Sequence, residues 1–302
     1  MAYIAIDIGG SLIKAGILTS EGVFIDRMTR ETPKEDYNSL LEVLVTLVEW
    51  AKASAEIQGI ALSQPCVTDE QTALALSEGA LVYIKGQNPA MDLGKRFSLP
   101  YSGENDGNCA ALAEVWLGSA KDVSDMAFVV CGTGIGGALV KDRRVHSGNR
   151  KFAGEFGMMI LETDRETNQP VMWSEIGSTH ALVRQYAKQM GVSEDSVNGR
   201  IVFERAQAGD AVAAACIREF YRAFALGLHN LQHVYDPQVI LIGGGISTRE
   251  EIVDEINCEL VKLQESFTLS TCMPLVRTTT FLADGNLIGA VYHHIASNSS
   301  TS

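Results

Sequence analysis

The sequence predicts a mixed α/β protein of two domains with a cleft between them. Three observations lead there. The chain has 302 residues, enough for two bodies that each bury a core. A pattern of strand, glycine turn and strand occurs twice: Tyr3–Ile8, Gly9-Gly10, Ile13–Leu18, and Met126–Cys131, Gly132-Thr133-Gly134-Ile135-Gly136-Gly137, Ala138–Val140. Helical stretches follow the hairpin in each half, which favours a mixed α/β pair of domains.

The elements follow in order. Residues 3–28 read as strands joined by turns at Gly9-Gly10 and Glu21-Gly22. Leu40, Leu44, Leu47, Val48 and Ala51 have helical spacing, so Ser39–Glu56 is expected as an amphipathic helix. Gly59–Ser63 is a short buried strand ended by Gln64-Pro65. Leu81–Pro89 and Leu93–Phe97 read as strand, loop and short helix, and Tyr101–Glu104 as a strand passing into a helix over Asn105–Leu117. Met126–Val145 is the second hairpin. Ser174–Asp236 is mainly helical, strongest over Arg200–Ala208 and Asp210–Tyr235. Val239–Ile242 is a buried strand running into Gly243-Gly244-Gly245. Helix, strand and closing helix are expected at Glu250–Gln264, Pro274–Leu282 and Asn286–Ala296, and Ser297–Ser302 as a polar, disordered tail. The boundary falls near Gly118–Ser124, giving domains over 1–118 and 119–285, with a last helix at about 286–297 returning to the first. No linker rich in Pro, Gly or Ser separates them, so hinged bodies are expected.

Composition limits the partners. Apolar residues make up 46% and charged ones 20%, the balance of a soluble globular chain. The net charge of −13 repels nucleic acid and anionic membrane, and no local basic patch offsets it. A small anionic ligand arriving with a cation is the expected kind. No stretch reaches the length of a spanning helix and no basic region precedes the first apolar run, so a cytoplasmic protein is expected. Cys66, Cys109, Cys131, Cys216, Cys258 and Cys272 are scattered without a C-x-x-C pair and read as buried small residues, not a disulfide or zinc framework.

The two glycine turns are the first chemical signal. Turns of this kind call for positive φ and expose backbone N–H groups that suit phosphate oxygens. A single such turn usually does no more than reverse the chain; two suggest half-sites around a polyphosphate. Asp7, beside the first turn, can hold Mg²⁺ through water, although a turn-capping Asp would look the same. Lys14 reads as a phosphate contact or a solvated strand residue, and Thr133 as a hydroxyl added to the backbone cradle or an ordinary strand residue. Asp106, in Gly103-Glu104-Asn105-Asp106-Gly107-Asn108, sits where a strand gives way to a helix and could accept a proton from an attacking hydroxyl. Either Asn105 or Asp106 could be the N-cap, but one cap does not need both. Glu155, in Phe152-Ala153-Gly154-Glu155-Phe156-Gly157, suits sugar hydroxyls with Phe152 or Phe156 as an apolar face, or is a surface acid. His180, His229 and His233 read as packing or surface residues, and His293-His294 as surface.

Together these segments resemble the ROK family of sugar kinases and repressors, within the sugar kinase, Hsp70 and actin superfamily. The likeness runs over nearly the whole chain, and the order and spacing of the motifs make it specific. Asp7-x-Gly9-Gly10-Ser11 with Lys14 resembles the first phosphate motif, and Gly132–Gly137 the second. Glu104-Asn105-Asp106-x-Asn108 resembles the E-N-D-A-N segment, Ala153-Gly154-Glu155-x-Gly157 the sugar-binding loop, and Asp236-Pro237 with Gly243-Gly244-Gly245 the adenosine segment. The resemblance implies two ribonuclease H-like, actin-like ATPase domains and ATP with Mg²⁺. It also implies Asp106 as catalytic base and a sugar bound by Asn105, Glu155 and Glu175, with Ser63 and Gln64 placed alongside. Dimers are common among kinases of this type.

Two departures matter. The family His that touches sugar and ligates a structural zinc is replaced by Met158, and Val171-Met172-Trp173-Ser174-Glu175 stands where the cysteine cluster would be. Met and Trp cannot replace thiolates, so no structural zinc is expected. The second sugar-binding acid falls at Ser174, or at Glu175 with a one-residue shift. Zinc-free members include β-glucoside kinases, so the expected reaction is ATP-dependent phosphorylation of a primary hydroxyl, O6 of glucose or of a β-glucoside. N-acetylmannosamine, fructose or allose are alternative acceptors. A sugar-sensing repressor is the rival from another class, but its DNA-binding domain would precede Asp7, where no space remains. A filament-forming ATPase is a third reading, opposed by the sugar segments.

Overall fold

The computed structural model describes residues 1–267 and 272–299. In chain order the elements are β1 (Ala2–Ile8), β2 (Leu12–Thr19), β3 (Phe24–Glu31), α1 (Tyr37–Ser54), β4 (Ile57–Gln64), α2 (Pro89–Phe97), β5 (Tyr101–Asn105) and α3 (Asp106–Trp116). Then come β6 (Met126–Cys131), β7 (Ile135–Lys141), β8 (Arg144–Val145), β9 (Ile160–Thr163), β10 (Pro170–Met172), α4 (Trp173–Gly177), α5 (Thr179–Met190) and α6 (Gly199–Gln207). The last are α7 (Ala211–Tyr235), β11 (Val239–Gly243), α8 (Ile252–Glu265), β12 (Val276–Thr278) and α9 (Gly285–Ser299). None of the described helices is long and apolar enough to cross a membrane.

The chain divides into two compact units. The first takes Met1–Asp122, Arg143–Phe152 and the chain from Ala283 onward, and the second Val123–Asp142 and Ala153–Leu282. The segment 143–152, read from sequence as part of the second domain, groups with the first because the Arg143 guanidinium donates to the carbonyls of Val115 and Lys121. In turn, the Tyr292 hydroxyl donates to the Arg143 carbonyl.

In the first unit the sheet order is β3-β2-β1-β4-β5. The first three strands are an antiparallel meander, and β4 and β5 add in parallel. β1 is apolar almost throughout because it lies mid-sheet with both faces covered. The α1 periodicity holds: Leu40, Leu44, Leu47, Val48 and Ala51 are buried, and the Asp36 carboxylate caps the helix by accepting from Ser39 N–H. Where the sequence suggested a strand at residues 81–89, the structure has a single 3-10 turn, Val82–Ile84. Gly79 and Gly86 at positive φ break that stretch, and Asn88 then caps α2 with Pro89 in its first turn.

In the second unit β12-β11-β6-β7 are consecutive neighbours, with β6–β7 antiparallel and β11 parallel to both β6 and β12. Long α7, capped by the Asp210 carboxylate, crosses a core centred on Trp173, Tyr186, Phe220 and Phe224. The strand expected at 274–282 is confined to Val276–Thr278.

Three sequence expectations need correcting. His293 and His294 are not surface residues: α9 packs on β4 and α3 so closely that a Cβ on Gly59 would meet His294 Nε2 at 2.2 Å. Cys258 and Cys272 are exposed; the other four cysteines are buried. The last helix continues through the expected tail to Ser299, and residues 300–302 lie outside the described residues.

Candidate functional site

Each unit carries its own constellation. In the first, the C-terminal ends of β1, β4 and β5 lie side by side, with Asp7 in register with Ser63, and Ser63 with Glu104. Parallel strands deliver their terminal residues to one edge, the usual place for a site in such a sheet. Asp7 is buried, and its Oδ1 accepts from the Ser63 hydroxyl at 2.7 Å and from the Asn286 amide at 3.0 Å. Both of these bonds fall on one oxygen, so the other suits a hydrated cation.

The capping question at α3 has a geometric answer. Asn105 Oδ1 accepts from Asn108 N–H, so Asn105 is the N-cap. Asp106 is therefore not spent on capping. Its Oδ1 accepts from Gly107 N–H at 2.8 Å and from the Asn105 amide at 3.0 Å. Burial, reinforced by the nearby negative charge of Asp7, pushes its carboxyl up to about 6 against the opposition of these hydrogen bonds. A carboxylate titrating there is a stronger base than a solvated one and is still ionised at neutral pH.

The glycines of the first turn serve space, not φ. Gly9 and Gly10 are not at positive φ, contrary to the sequence expectation. A Cβ on Gly9 would sit 2.6 Å from the Leu12 carbonyl oxygen, the acceptor of the Gly9 N–H. Thr32 Oγ1 donates to the Gly9 carbonyl and Lys34 Nζ to that of Gly10. Lys14 lies opposite Asp7 across the hairpin and its Nζ reaches the Ala283 carbonyl at 3.4 Å. Ser11 is exposed. Gln64 is fully buried and its amide donates to Thr68 Oγ1 and the Ala73 carbonyl, holding the excursion after β4.

In the second unit Gly132, Gly134, Gly136 and Gly137 also lack positive φ. Cβ atoms on Gly132 and Gly136 would project into open space, whereas one on Gly137 would strike the Phe128 carbonyl and the Phe156 ring. Phe156 is thus buried packing, and Phe152 is exposed. Glu155 is exposed between Gly154, held at φ +105°, and the 3-10 turn Phe156–Met158. The Ser174 hydroxyl accepts from Ile135 N–H at 2.9 Å and ties α4 to the turn. The Glu175 carboxylate accepts from Met172 N–H, capping its own helix. Gly243 is buried; Gly244 has φ +84°, and a Cβ there would sit 2.2 Å from the Cys131 carbonyl. A cavity of about 840 Å³ joins the turn at Gly132 and Thr133 to Gly245, Arg249, Asn198 and Thr179. Its size and its glycine-lined wall, which a Cβ would fill, fit a nucleotide.

Set beside known proteins, residues 3–296 match the family model described as "ROK family". The chain belongs to the ROK family. It is 34% identical over 296 residues to a β-glucoside kinase of Klebsiella pneumoniae, covering 97% of this chain and 96% of that one. A β-glucoside kinase of Listeria monocytogenes is 35% identical over 298 residues, 98% of each chain. Among solved structures, a ROK family protein of Streptococcus pneumoniae in complex with sucrose superposes with a TM-score of 0.90 at 31% identity, covering 99% of this chain and 100% of that one. With these ROK relatives the chain shares the actin-like ATPase fold, and the meander with two added parallel strands is its ribonuclease H-like sheet.

Sequence reasoning missed Asn286, Thr32 and Lys34. Asn286 had a weak signal, following Asp284-Gly285 at a helix start. Nothing local in the sequence ties it to Asp7.

Proposed function

We propose that the chain transfers the γ-phosphoryl group of ATP to a primary hydroxyl, O6 of glucose or of the glucosyl unit of a β-glucoside, with Asp106 as general base. It is a carbohydrate kinase, as its 34–35% identity to ROK kinases over nearly the full chain requires. The finer reading rests on one observation: Asn105 takes the capping role, which leaves a half-buried carboxyl titrating at about 6 at the start of α3.

In this reading the Asp106 carboxylate takes the proton of the attacking hydroxyl as it approaches the phosphorus, worth about 10²–10⁴ in rate. Asn105 and Glu155 orient the sugar, and because the Glu175 carboxylate caps α4, Ser174 beside Gly157 takes the second position. Ser63 and Gln64 are fully buried, so they act behind the site, Ser63 on Asp7 and Gln64 on the segment after β4, and not as the substrate contacts the sequence suggested. Backbone N–H groups of Gly10 and of Thr133 and Gly134 cradle phosphate oxygens, with Ser11 and Lys14 beside the first turn, while the N–H groups of Gly9 and Gly132 hold the turns closed by donating to the Leu12 and Gly134 carbonyls. Gly243, Gly244 and Gly245 close the adenosine side. Asp7 would hold Mg²⁺ through water, and the ion would neutralise phosphate charge. In-line positioning supplies most of the remaining acceleration.

A coupled assay with ATP over glucose, cellobiose, gentiobiose, N-acetylmannosamine, fructose and allose tests the reading. Highest kcat/KM on glucose or a β-glucoside is expected. A clear preference for N-acetylmannosamine, fructose or allose would overturn the acceptor assignment.

A further inference from the structure

The first unit holds a second polar cavity that none of the roles above uses. It has a volume of about 430 Å³ and is lined by Glu70, Glu104, Arg143, Arg144, Tyr292 and His293, among others. Neither Asn105 nor Asp106 lines it. Helix α9 creates it by crossing α3 at very close range, since a Cβ on Gly289 would lie 1.7 Å from the Cys109 carbonyl. That approach carries His293 to Glu104, with Nδ1 4.0 Å from Oε2.

Its walls are unsatisfied. Glu104 is 1% exposed; its Oε1 accepts from Asn105 N–H and from the Asn108 amide, but its Oε2, with His293 Nδ1 too far for a hydrogen bond, has no hydrogen-bond partner. The same holds for buried His293 Nε2 and for Glu70 Oε2, although Glu70 Oε1 is engaged by Lys151. Buried polar atoms without partners are costly, so groups left this way in one cavity indicate something that binds there.

We propose that this cavity binds a small, uncharged polyol of monosaccharide size, whose hydroxyl groups supply the missing partners of Glu70, Glu104 and His293. The unpartnered carboxyl oxygens take hydrogen-bond donors and the imidazole nitrogen takes or gives one according to its tautomer, while Arg144 on the same wall brings donors. Hydroxyl groups do both. An anion would face Glu70 and Glu104, and a cation would face Arg143 and Arg144. Burial adds to the preference for a neutral ligand, since it pushes Glu104 up to about 7 and His293 down to about 4. The volume lies within the roughly 300–1,000 Å³ of small-molecule sites. Glu104 links this cavity to the catalytic segment, because its other oxygen holds the N–H of Asn105, the cap that precedes Asp106.

Calorimetric titration of the full chain with myo-inositol, sorbitol and D-xylose tests the idea by binding, independently of turnover. At least one of the three should bind with a stoichiometry of one and a Kd below about 10 mM. Glu70→Gln removes an acceptor, and Ser297→Trp places bulk at an exposed lining position. Each should weaken that binding at least tenfold while changing affinity for a non-hydrolysable ATP analogue less than twofold, which also reports that the variants are folded. Absence of binding by all three polyols at 50 mM, or binding unchanged in both folded variants, would overturn the proposal.

Discussion

Replacing Asp106 by Asn should destroy turnover and strengthen the fold, and the two effects come from the same burial. Asn keeps the shape and an Oδ1 that can accept from Gly107 N–H and the Asn105 amide. It removes a charge that the site disfavours. In the folded chain the carboxyl titrates at about 6, against an ordinary 3.8. Between those values the native state retains a proton that the unfolded chain has released, so stability falls as pH rises through the window. At about 1.4 kcal/mol per pH unit, the penalty levels off above pH 6 at roughly 3 kcal/mol. Asp106→Asn should therefore unfold in urea with a free energy about 2–3 kcal/mol higher than wild type at pH 8, a gap that closes near pH 4. Its kcat should fall by about 10²–10⁴ with sugar binding retained. The wild-type kcat should itself drop as pH falls through about 6. A variant no more stable than wild type at pH 8 would refute the burial argument, and near-normal kcat would remove Asp106 from the base role.

Gly132→Val places a side chain in open space, so it should raise the KM for ATP at least tenfold (roughly 1.4 kcal/mol of binding) with an unchanged melting temperature. Gly244→Val is the contrast: positive φ and a carbonyl 2.2 Å from the new Cβ should cost about 1–3 kcal/mol or more in a thermal melt. Trp173→Ala empties a fully buried site against Phe224 and Gly227 and should cost about 3–5 kcal/mol, read by chemical denaturation. Glu155→Gln should raise the sugar KM about tenfold or more with the KM for ATP little changed, and parallel changes in both would argue against a sugar contact.

The strands and helices with strong local patterns were legible in the sequence. Periodic apolar residues marked α1, the helical stretch from Asp210 to Tyr235 marked α7, and continuous apolar runs marked β1 and β6, since burial on one face or two dictates those spacings. The segment Gly103–Asn108 also announced a strand turning into a helix. Which of its two polar residues caps required coordinates, because Asn105 and Asp106 are equally good caps by type and only backbone direction separates them. The glycine turns were visible, but their reason was not: a Cβ on Gly9 would strike the Leu12 carbonyl and one on Gly137 the Phe128 carbonyl and Phe156 ring, whereas Gly132 and Gly136 face open space.

Local chemistry thus determined the elements, the family motifs and the acid at the strand end, because spacing, capping and turn preferences act over a few residues. Tertiary packing alone decided that Asn286 reaches Asp7, that 143–152 joins the first unit, and that α9 brings half-buried His293 beside Glu104. Those contacts join residues far apart in the chain, where no local pattern links one to the other. Burial sets their chemistry, and burial exists only once the chain has folded.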